Sequence, residues 1–244
     1  MAWHPQRGLL DPHGGGADLE QGLIRCPGPA GEIFRADALR MVRAVRFAAK
    51  LGFAIEAGTM AAVKEHRNLI NEISPERVRG ELSVILVSPR PKLGLDLLRE
   101  TGLLPHILPE LQSCYGFDQH NPHHNLDVYQ HTLAVVENTP PDLVLRLAAL
   151  FHDIGELLCF SIDEKGIGHF YGHDKEGAVL AGRIVRRLRY DNETIATVKN
   201  LVAAHMLRLN YPSMNPAKLL ARVGREDIEK LFVLQEADAK AGVH

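Results

Sequence analysis

A helical spacing of apolar residues, interrupted by glycine, proline and capping residues, runs from Phe34 almost to the end of this 244-residue chain. It leaves little room for any fold that is not mainly α. Leu39, Val42, Val45, Phe47 and Ala49 predict a helix stopped at Gly52, where a left-handed residue ends the last turn. A second helix is expected over 59–68. Ser74-Pro75 then reads as a helix start, with Ser as N-cap and Pro in the first turn, running to Val87. The segment 92–101 follows, stopped by Gly102. Beyond a loop rich in His, Asn and Pro over 117–125, helices are expected at 127–137, 142–153, 174–189, 192–206, 215–223 and 226–240. Gly155, Gly166, Gly168 and Gly172 mark a long exposed loop between Asp153 and Asp174. Ahead of Phe34, the run DPHGGGADLEQGLIR reads as a turn and strand edge from an α/β unit whose partner strands do not precede it. The expected architecture is therefore a short α/β remnant (1–23), a basic helical unit (24–113) and a second helical domain (114–244).

Composition narrows the setting. No run approaches the roughly 20 apolar residues that span a bilayer, and the N-terminus lacks a basic-then-apolar secretory pattern. Cys26, Cys114 and Cys159 are odd in number and far apart, which favours neither a disulfide framework nor a cysteine zinc site. A reducing cytoplasm and no membrane partner are expected. The 28 Lys and Arg nearly balance 30 Asp and Glu. Yet from Arg35 to Lys50 five cations stand against the single anion Asp37, so any affinity for nucleic acid belongs to that segment.

Histidine is the other anomaly. Of 13 histidines, eight lie between His120 and His205. His131, the pair His152-Asp153 and Asp238 combine neutral imidazoles with carboxylates, a donor set suited to Mn, Fe, Ni or Zn and, through its two carboxylates, to Mg. Adjacent helical side chains diverge by about 100°, so His152 and Asp153 can splay around one ion. Asp238 is in register with Ile228, Leu231 and Gln235, which turns a carboxylate toward an apolar face where it needs a partner. His173 and His205 are candidates for outer support of the ligands or for contacts to a substrate phosphate. His205 is in phase with Val198, Leu201 and Val202, so it reads equally well as a core histidine. His120, His123 and His124 are expected on a solvated loop.

In the basic segment, Asp37 and Arg40 stand at i, i+3. One helical turn would set a carboxylate acceptor beside a guanidinium fork, a combination that can read a base edge or simply form an intrahelical ion pair. Arg43 and Arg46 continue the stripe at a spacing suited to phosphates.

Two resemblances follow from these motifs. His131, HDIG at His152–Gly155 and Asp238 within ADAKA resemble the HD superfamily of metal-dependent phosphohydrolases. That resemblance implies His131, His152, Asp153 and Asp238 as metal ligands, with Asp153 the catalytic position. Glu156 stands where many HDIG sequences continue with Lys. The stretch FRADALRMVRAVRFAAKLGFAIE resembles the neck of bacterial class II tRNA nucleotidyltransferases, the CCA-adding and poly(A) polymerase-like family. DPHGGGADLEQGLIR, SPERVRGEL, GLLPHILPEL and GIGHFYGHDKEGA extend the similarity, in order, along the chain. The family's E-D-x-x-R template for CTP and ATP falls on Asp37 and Arg40, with Ala36 where Glu is usual. The resemblance implies Asp37, Arg40 and Arg43 as nucleotide-binding residues and Arg46 and Arg77 as RNA or phosphate contacts. It implies tRNA and nucleotides as partners, Mg for nucleotidyl transfer, and Mn, Ni or Mg at the HD site, and it leaves room for a homodimer. The family's head motifs (G-S/G-x-x-R-D, D-x-D and R-R-D-F) do not occur in these 244 residues, so the chain as written is not expected to polymerise. Two rival readings remain: an autonomous HD phosphohydrolase and a non-catalytic RNA-binding piece.

Overall fold

The computed structural model describes residues 1–117, 126–207 and 215–242. They form two compact units, Met1–Ile107 and Leu108 onward. His120, His123 and His124 lie outside the described residues.

The first unit begins with an antiparallel hairpin of β1 (Ala2–His4) and β2 (Gly8–Leu10), in which Trp3 faces Leu9. Asp11 then accepts the amides of Gly15 and Gly16 at 2.9 and 2.7 Å and starts α1 (Gly15–Gln21). These backbone hydrogen bonds hold the Asp11 carboxyl below the usual carboxylate range. The strand edge expected to lack a partner finds one from later in the chain, because β3 (Leu23–Ile24) runs parallel to β4 (Ala54–Ile55). Between them lie α2 (Ala30–Ala36) and α3 (Leu39–Leu51).

Helix α3 is the core of this unit. Met41, Val42, Val45, Ala48 and Ala49 are fully buried, and the polar side carries Arg40, Arg43 and Lys50. Gly52 closes α3 with φ 73° and ψ 24°, the left-handed geometry expected of it. Then come α4 (Ala57–His66), a 3-10 turn (Arg67–Glu72), α5 (Pro75–Leu86), α6 (Pro91–Glu100) and α7 (Leu104–Ile107). Ser74 occupies the N-cap of α5, but its hydroxyl makes no capping bond, and Pro75 alone sets the first turn.

The second unit contains α8 (Pro109–Ser113), α9 (Val128–Asn138), α10 (Leu143–Phe151), α11 (Glu156–Cys159), the hairpin β5 (Ser161–Ile162) and β6 (Gly168–His169), α12 (His173–Arg187), α13 (Asn192–Ala204), α14 (Pro216–Val223) and α15 (Ile228–Ala241). Glu110 on α8 takes Arg187 of α12 through a bond of 2.9 Å. Four helix starts in this unit carry side-chain caps: Asp127, Asp142, Asp191 and Asn215 accept the amides of Gln130, Leu145, Thr194 and Lys218. The long loop expected between Asp153 and Asp174 instead holds α11 and the β5–β6 hairpin. Segments this short fall below the length at which periodicity can be read. Helices α12 and α13 form an antiparallel pair, α10 packs against α9 and α13, and α15 lies across α9.

Small residues let helices approach. A Cβ on Gly94 of α6 would sit 2.4 Å from Ile85 Cγ2 and 3.0 Å from Ala49 Cβ. Gly94→Ala is therefore expected to destabilise the chain by about 1–3 kcal/mol through overpacking. Urea unfolding measures it, and an unchanged midpoint would contradict this packing.

Candidate metal centre and the basic helix

Five elements bring six side chains to one place in the second unit. His131 comes from α9, His152 and Asp153 from the end of α10, His173 from the first residue of α12, His205 from the end of α13 and Asp238 from α15. Asp153 is the middle of the group. Its Oδ2 lies 2.9 Å from His152 Nε2 and 3.6 Å from His131 Nε2. Its Oδ1 lies 3.3 Å from His205 Nε2 and 3.6 Å from His173 Nε2. Asp238 Oδ1 is 3.2 Å from His131 Nε2 and 4.0 Å from His152 Nε2. The donor atoms thus divide into two triads, His131–His152–Asp238 and Asp153–His173–His205, each with its ligand atoms within 4.8 Å of one another.

The hydrogen bonds on the far side of the rings decide what the group can hold. Nδ1 of His152, His173 and His205 faces the carbonyl of Ala149, Phe170 and Val202 at 2.8, 2.8 and 2.6 Å. Each Nδ1 must donate there, so a neutral ring presents a bare Nε2 lone pair to the cluster. Those nitrogens converge: His131 and His152 Nε2 are 3.4 Å apart, and His173 and His205 Nε2 are 3.2 Å apart. The bare lone pairs of His173 and His205 at that separation repel unless a proton or a cation lies between them. The donor set fits a divalent metal of intermediate hardness, as the sequence suggests.

Without a cation, protons take its place. Burial works against the charged His152 ring, but the adjacent Asp153 carboxylate and Asp238 outweigh it and push the imidazole up to about 9. Asp153 is held well below its ordinary range: burial opposes this, and the His152 and His205 rings overcome it. Asp238 is lowered in the same way, chiefly by its bond to His131 working against burial. Glu156, which the sequence presents as an anion, is buried. Burial, reinforced by the charge on Asp153, pushes it up to about 9, so it is a neutral acid at pH 7.

His173 and His205 were candidates for a supporting role, and the geometry sets their Nε2 atoms beside Asp153 Oδ1 in the same donor group. The core reading of His205 also describes its surroundings, since it is 2% exposed. Gln235 has a part that the sequence did not assign. Its Nε2 donates to the carbonyls of His205 and Leu207, both at 2.8 Å, and fixes the end of α13. Gly155 of HDIG is needed for space rather than for its dihedrals: a Cβ there would meet the His173 carbonyl at 2.3 Å and Gly177 N at 2.6 Å.

In the first unit, Asp37 and Arg40 do not share a helix. Asp37 is extended at the end of α2 (φ −155°, ψ 99°), and Arg40 belongs to α3. Asp37 instead accepts Arg77 Nη2 from α5 on both oxygens at 3.1 Å, and Leu39 N at 3.3 Å. Glu81, buried on α5, accepts Arg43 Nε at 2.9 Å. Its second oxygen pairs with Arg46 Nε at 3.2 Å, at an angle outside hydrogen-bond geometry. Glu81 was quoted with the SPERVRGEL motif without a role, and it is what orders the basic stripe. The Arg46 guanidinium also lies 4.3 Å over the Phe47 ring. Arg40 and Arg43, with Ile33, Phe34, Phe47 and Cys26, line a cavity of about 250 Å³.

A helical unit with an arginine-lined pocket is followed by a helical unit built around a His/Asp cluster whose donor set suits a divalent metal. Comparison with known families agrees. Residues 52–115 match the family described as "Probable RNA and SrmB- binding site of polymerase A", and 123–241 match the HD domain. The chain is 35% identical over 252 residues to the A-adding tRNA nucleotidyltransferase of Deinococcus radiodurans, covering 99% of this chain and 57% of the relative. It is 41% identical over 217 residues to the CC-adding tRNA nucleotidyltransferase of Thermus thermophilus, covering 84% and 49%. The fold matches the CCA-adding enzyme of Bacillus stearothermophilus with a TM-score of 0.65 at 23% identity, over 98% of this chain and 53% of that one. The chain is homologous over its whole length to CCA-adding tRNA nucleotidyltransferases and spans about half the length of the relatives it matches.

Two measurements follow. Gly155→Ala is expected to displace His173 and lower divalent-metal affinity by about 10- to 100-fold, the range for lost ligand support; calorimetric titration with Mn checks it, and wild-type affinity would contradict it. In metal-free protein the raised His152 value contributes stability that is present below about pH 6.5 and lost as pH rises through about 9. The lowered Asp153 and Asp238 values act at the other end, their contribution being lost as pH falls through the acid range. The metal-free Tm should therefore fall from pH 6.5 to pH 9.5 and be restored by added Mn. A Tm that is flat across that window would contradict the charge arrangement.

Proposed function

We propose that this chain is the neck, body and HD portion of a tRNA nucleotidyltransferase, acting in RNA 3′-end processing. In this reading 1–23 is a remnant of the nucleotidyltransferase head, 24–113 binds nucleotide and tRNA, and 114–244 is the HD module, with α8 leading into it. The carrying observation is the anchored basic face: Arg77 fixes Asp37, and Glu81 fixes Arg43 and Arg46, beside the pocket that Arg40 lines. Asp37 and Arg40 present an acceptor and a donor to an incoming CTP or ATP base, supported by Arg43. Arg46 and Arg77 neutralise phosphates of nucleotide or tRNA. The match to a CCA-adding enzyme solved with CTP, and to the Thermotoga maritima enzyme complexed with tRNA, supports nucleotides and tRNA as partners. The tRNA chemistry of the relatives supports a cytoplasmic location, and Mg is the ion we assign to nucleotidyl transfer.

Binding of a tRNA lacking its 3′ end, followed by anisotropy across a salt series, tests this. Arg46→Ala should weaken binding and make log K against log[salt] shallower by about 1, one phosphate contact. Asp37→Ala should weaken CTP and ATP binding while leaving the tRNA salt slope intact. Unchanged affinities in both variants would overturn the assignment.

The two facing triads favour a second activity, phosphoester hydrolysis by the HD module. His131, His152 and Asp238 would hold one divalent ion, and Asp153, His173 and His205 a second, with Mn, Ni or Mg as the ions to test. A bound cation supplies Lewis acidity to a phosphoryl oxygen. The chain's own part is to orient: the carbonyls of Ala149, Phe170 and Val202 fix the rings, and Asp153 presents one oxygen to each triad. Turnover of a phosphodiester in the presence of these metals should fall on the order of 100-fold or more in Asp153→Ala. No turnover with any of the three would remove this activity.

A further inference from the structure

Helix α12 carries a second concentration of arginine, away from the pocket of the first unit and outside the His/Asp cluster. Arg183, Arg186, Arg187 and Arg189 fall close together, and Lys199 follows on α13. The segment 183–199 holds these five cations against Asp191 and Glu193, in a part of the chain (114–244) where 17 acidic residues outnumber 14 basic ones. Ala178, Ala181, Ile184 and Val185 form the buried side of α12, and the arginines take the opposite, exposed face.

The charges on this face are largely uncommitted. Arg187 is held by Glu110 on α8, and Asp191 is occupied by the amide and hydroxyl of Thr194. The nearest carboxylate before Arg183 on α12 is Glu176, about two turns away. Among the described residues, none forms an ion pair with Arg183, Arg186 or Lys199. The first unit differs, since Glu81 and Asp37 there hold Arg43, Arg46 and Arg77. Like charges one turn apart repel, so the fold by itself gains nothing from collecting them here.

Two backbone positions keep the face as it is against local preference. Arg189 has φ 62°, the left-handed conformation that glycine usually supplies after a helix, and Tyr190 N bonds back to Val185 O at 3.2 Å. A cation stands where glycine would be less strained. Gly182 lies within α12, where alanine is favoured, and a Cβ there would sit 2.6 Å from Lys199 Cδ. The stem of Lys199 therefore crosses α12 at Gly182, next in sequence to Arg183.

We propose that the exposed face of α12, with Lys199, is an RNA-backbone surface that takes the phosphates of a double-stranded stem without reading its bases. It rests on the reading of the chain as part of a tRNA enzyme for the identity of the RNA. Guanidinium forks suit phosphate oxygens, and phosphate contacts position a nucleic acid without specifying its sequence. A stem fits better than a single strand, which is held by stacking on rings: Val179 is the large exposed apolar side chain of α12.

The test compares the full wild-type chain with Arg183→Ala/Arg186→Ala, by anisotropy of a labelled tRNA lacking its 3′ end across a salt series. The double variant should weaken binding and make log K against log[salt] shallower by about 2, one for each phosphate contact. The loss should be equal for a second tRNA of different sequence and for a plain RNA duplex. Arg183→Lys/Arg186→Lys should restore the slope, CTP binding should keep its wild-type value, and melting curves show that the variants fold. Arg189→Gly should weaken tRNA binding without lowering Tm, because glycine relieves the left-handed strain. Affinity and slope unchanged in the double Ala variant overturn the proposal, as does a loss that depends on RNA sequence. If tRNA binding is unchanged while sedimentation shows self-association lost, the face joins copies of this chain, and the RNA surface is likewise overturned. Weakened binding in the α12 variant, with Asp37→Ala and Arg46→Ala both binding normally, keeps this surface and removes the first-unit assignment. The opposite pattern removes the surface and leaves that assignment standing.

Discussion

The second unit is organised around one carboxylate. Asp153 is half-buried among four imidazoles, and its two oxygens face two different pairs of them, His131 and His152 on one side and His173 and His205 on the other. A buried carboxylate survives only if positive charge reaches it. The architecture reflects that demand. Helices α9, α10, α12, α13 and α15 each deliver a donor side chain, and the backbone carbonyls behind His152, His173 and His205 keep their Nε2 lone pairs pointing inward. Gly155 and Gly177 allow the backbone of HDIG to lie against the start of α12, and Gln235 ties α15 to the end of α13. Fold and site share the same contacts, so a change at Gly155 disturbs the His/Asp cluster as well as the packing.

The first unit solves a different problem with similar economy. A stripe of arginines on α3 would repel itself and wander in solvent. Glu81 and Asp37 give two of its members and Arg77 fixed positions, while Arg40 stays available at a pocket walled by apolar side chains. This preorganisation matters for reading a base, because long cationic side chains otherwise lose rotamer freedom on binding. The pairs Arg77–Asp37 and Arg43–Glu81 join α5 to the α2–α3 segment, so the geometry presented to a ligand depends on helix packing below it.

Much of this was legible in the sequence. Ten of the helices and the Gly52 stop follow from spacing and the left-handed glycine, because those signals act within a few residues. That His131, His152, Asp153 and Asp238 come together was visible through register and the HDIG run. Less visible were relations set by tertiary contact. Asp37 and Arg40 look like helical neighbours at i, i+3, yet a break between α2 and α3 separates them, and the partner of Asp37 is forty residues away at Arg77. His205 gave the same signal whether ligand or core, since a buried ligand must also face inward. Glu156 reads as an anion from its letter, and only its burial beside Asp153 shows a neutral acid. The β5–β6 hairpin was too short to show a period, and β3 found its partner only across α3.

In the proposed metal centre Asp153 is the shared acceptor for divalent cations. Equilibrium dialysis of the full chain against Mn, with metal content measured for wild type and Asp153→Asn, reads this out. Wild type should take up two ions per chain, and Asp153→Asn should show a clear loss of bound metal. Wild-type protein that takes up no divalent ion, or uptake that Asp153→Asn leaves unchanged, would contradict it.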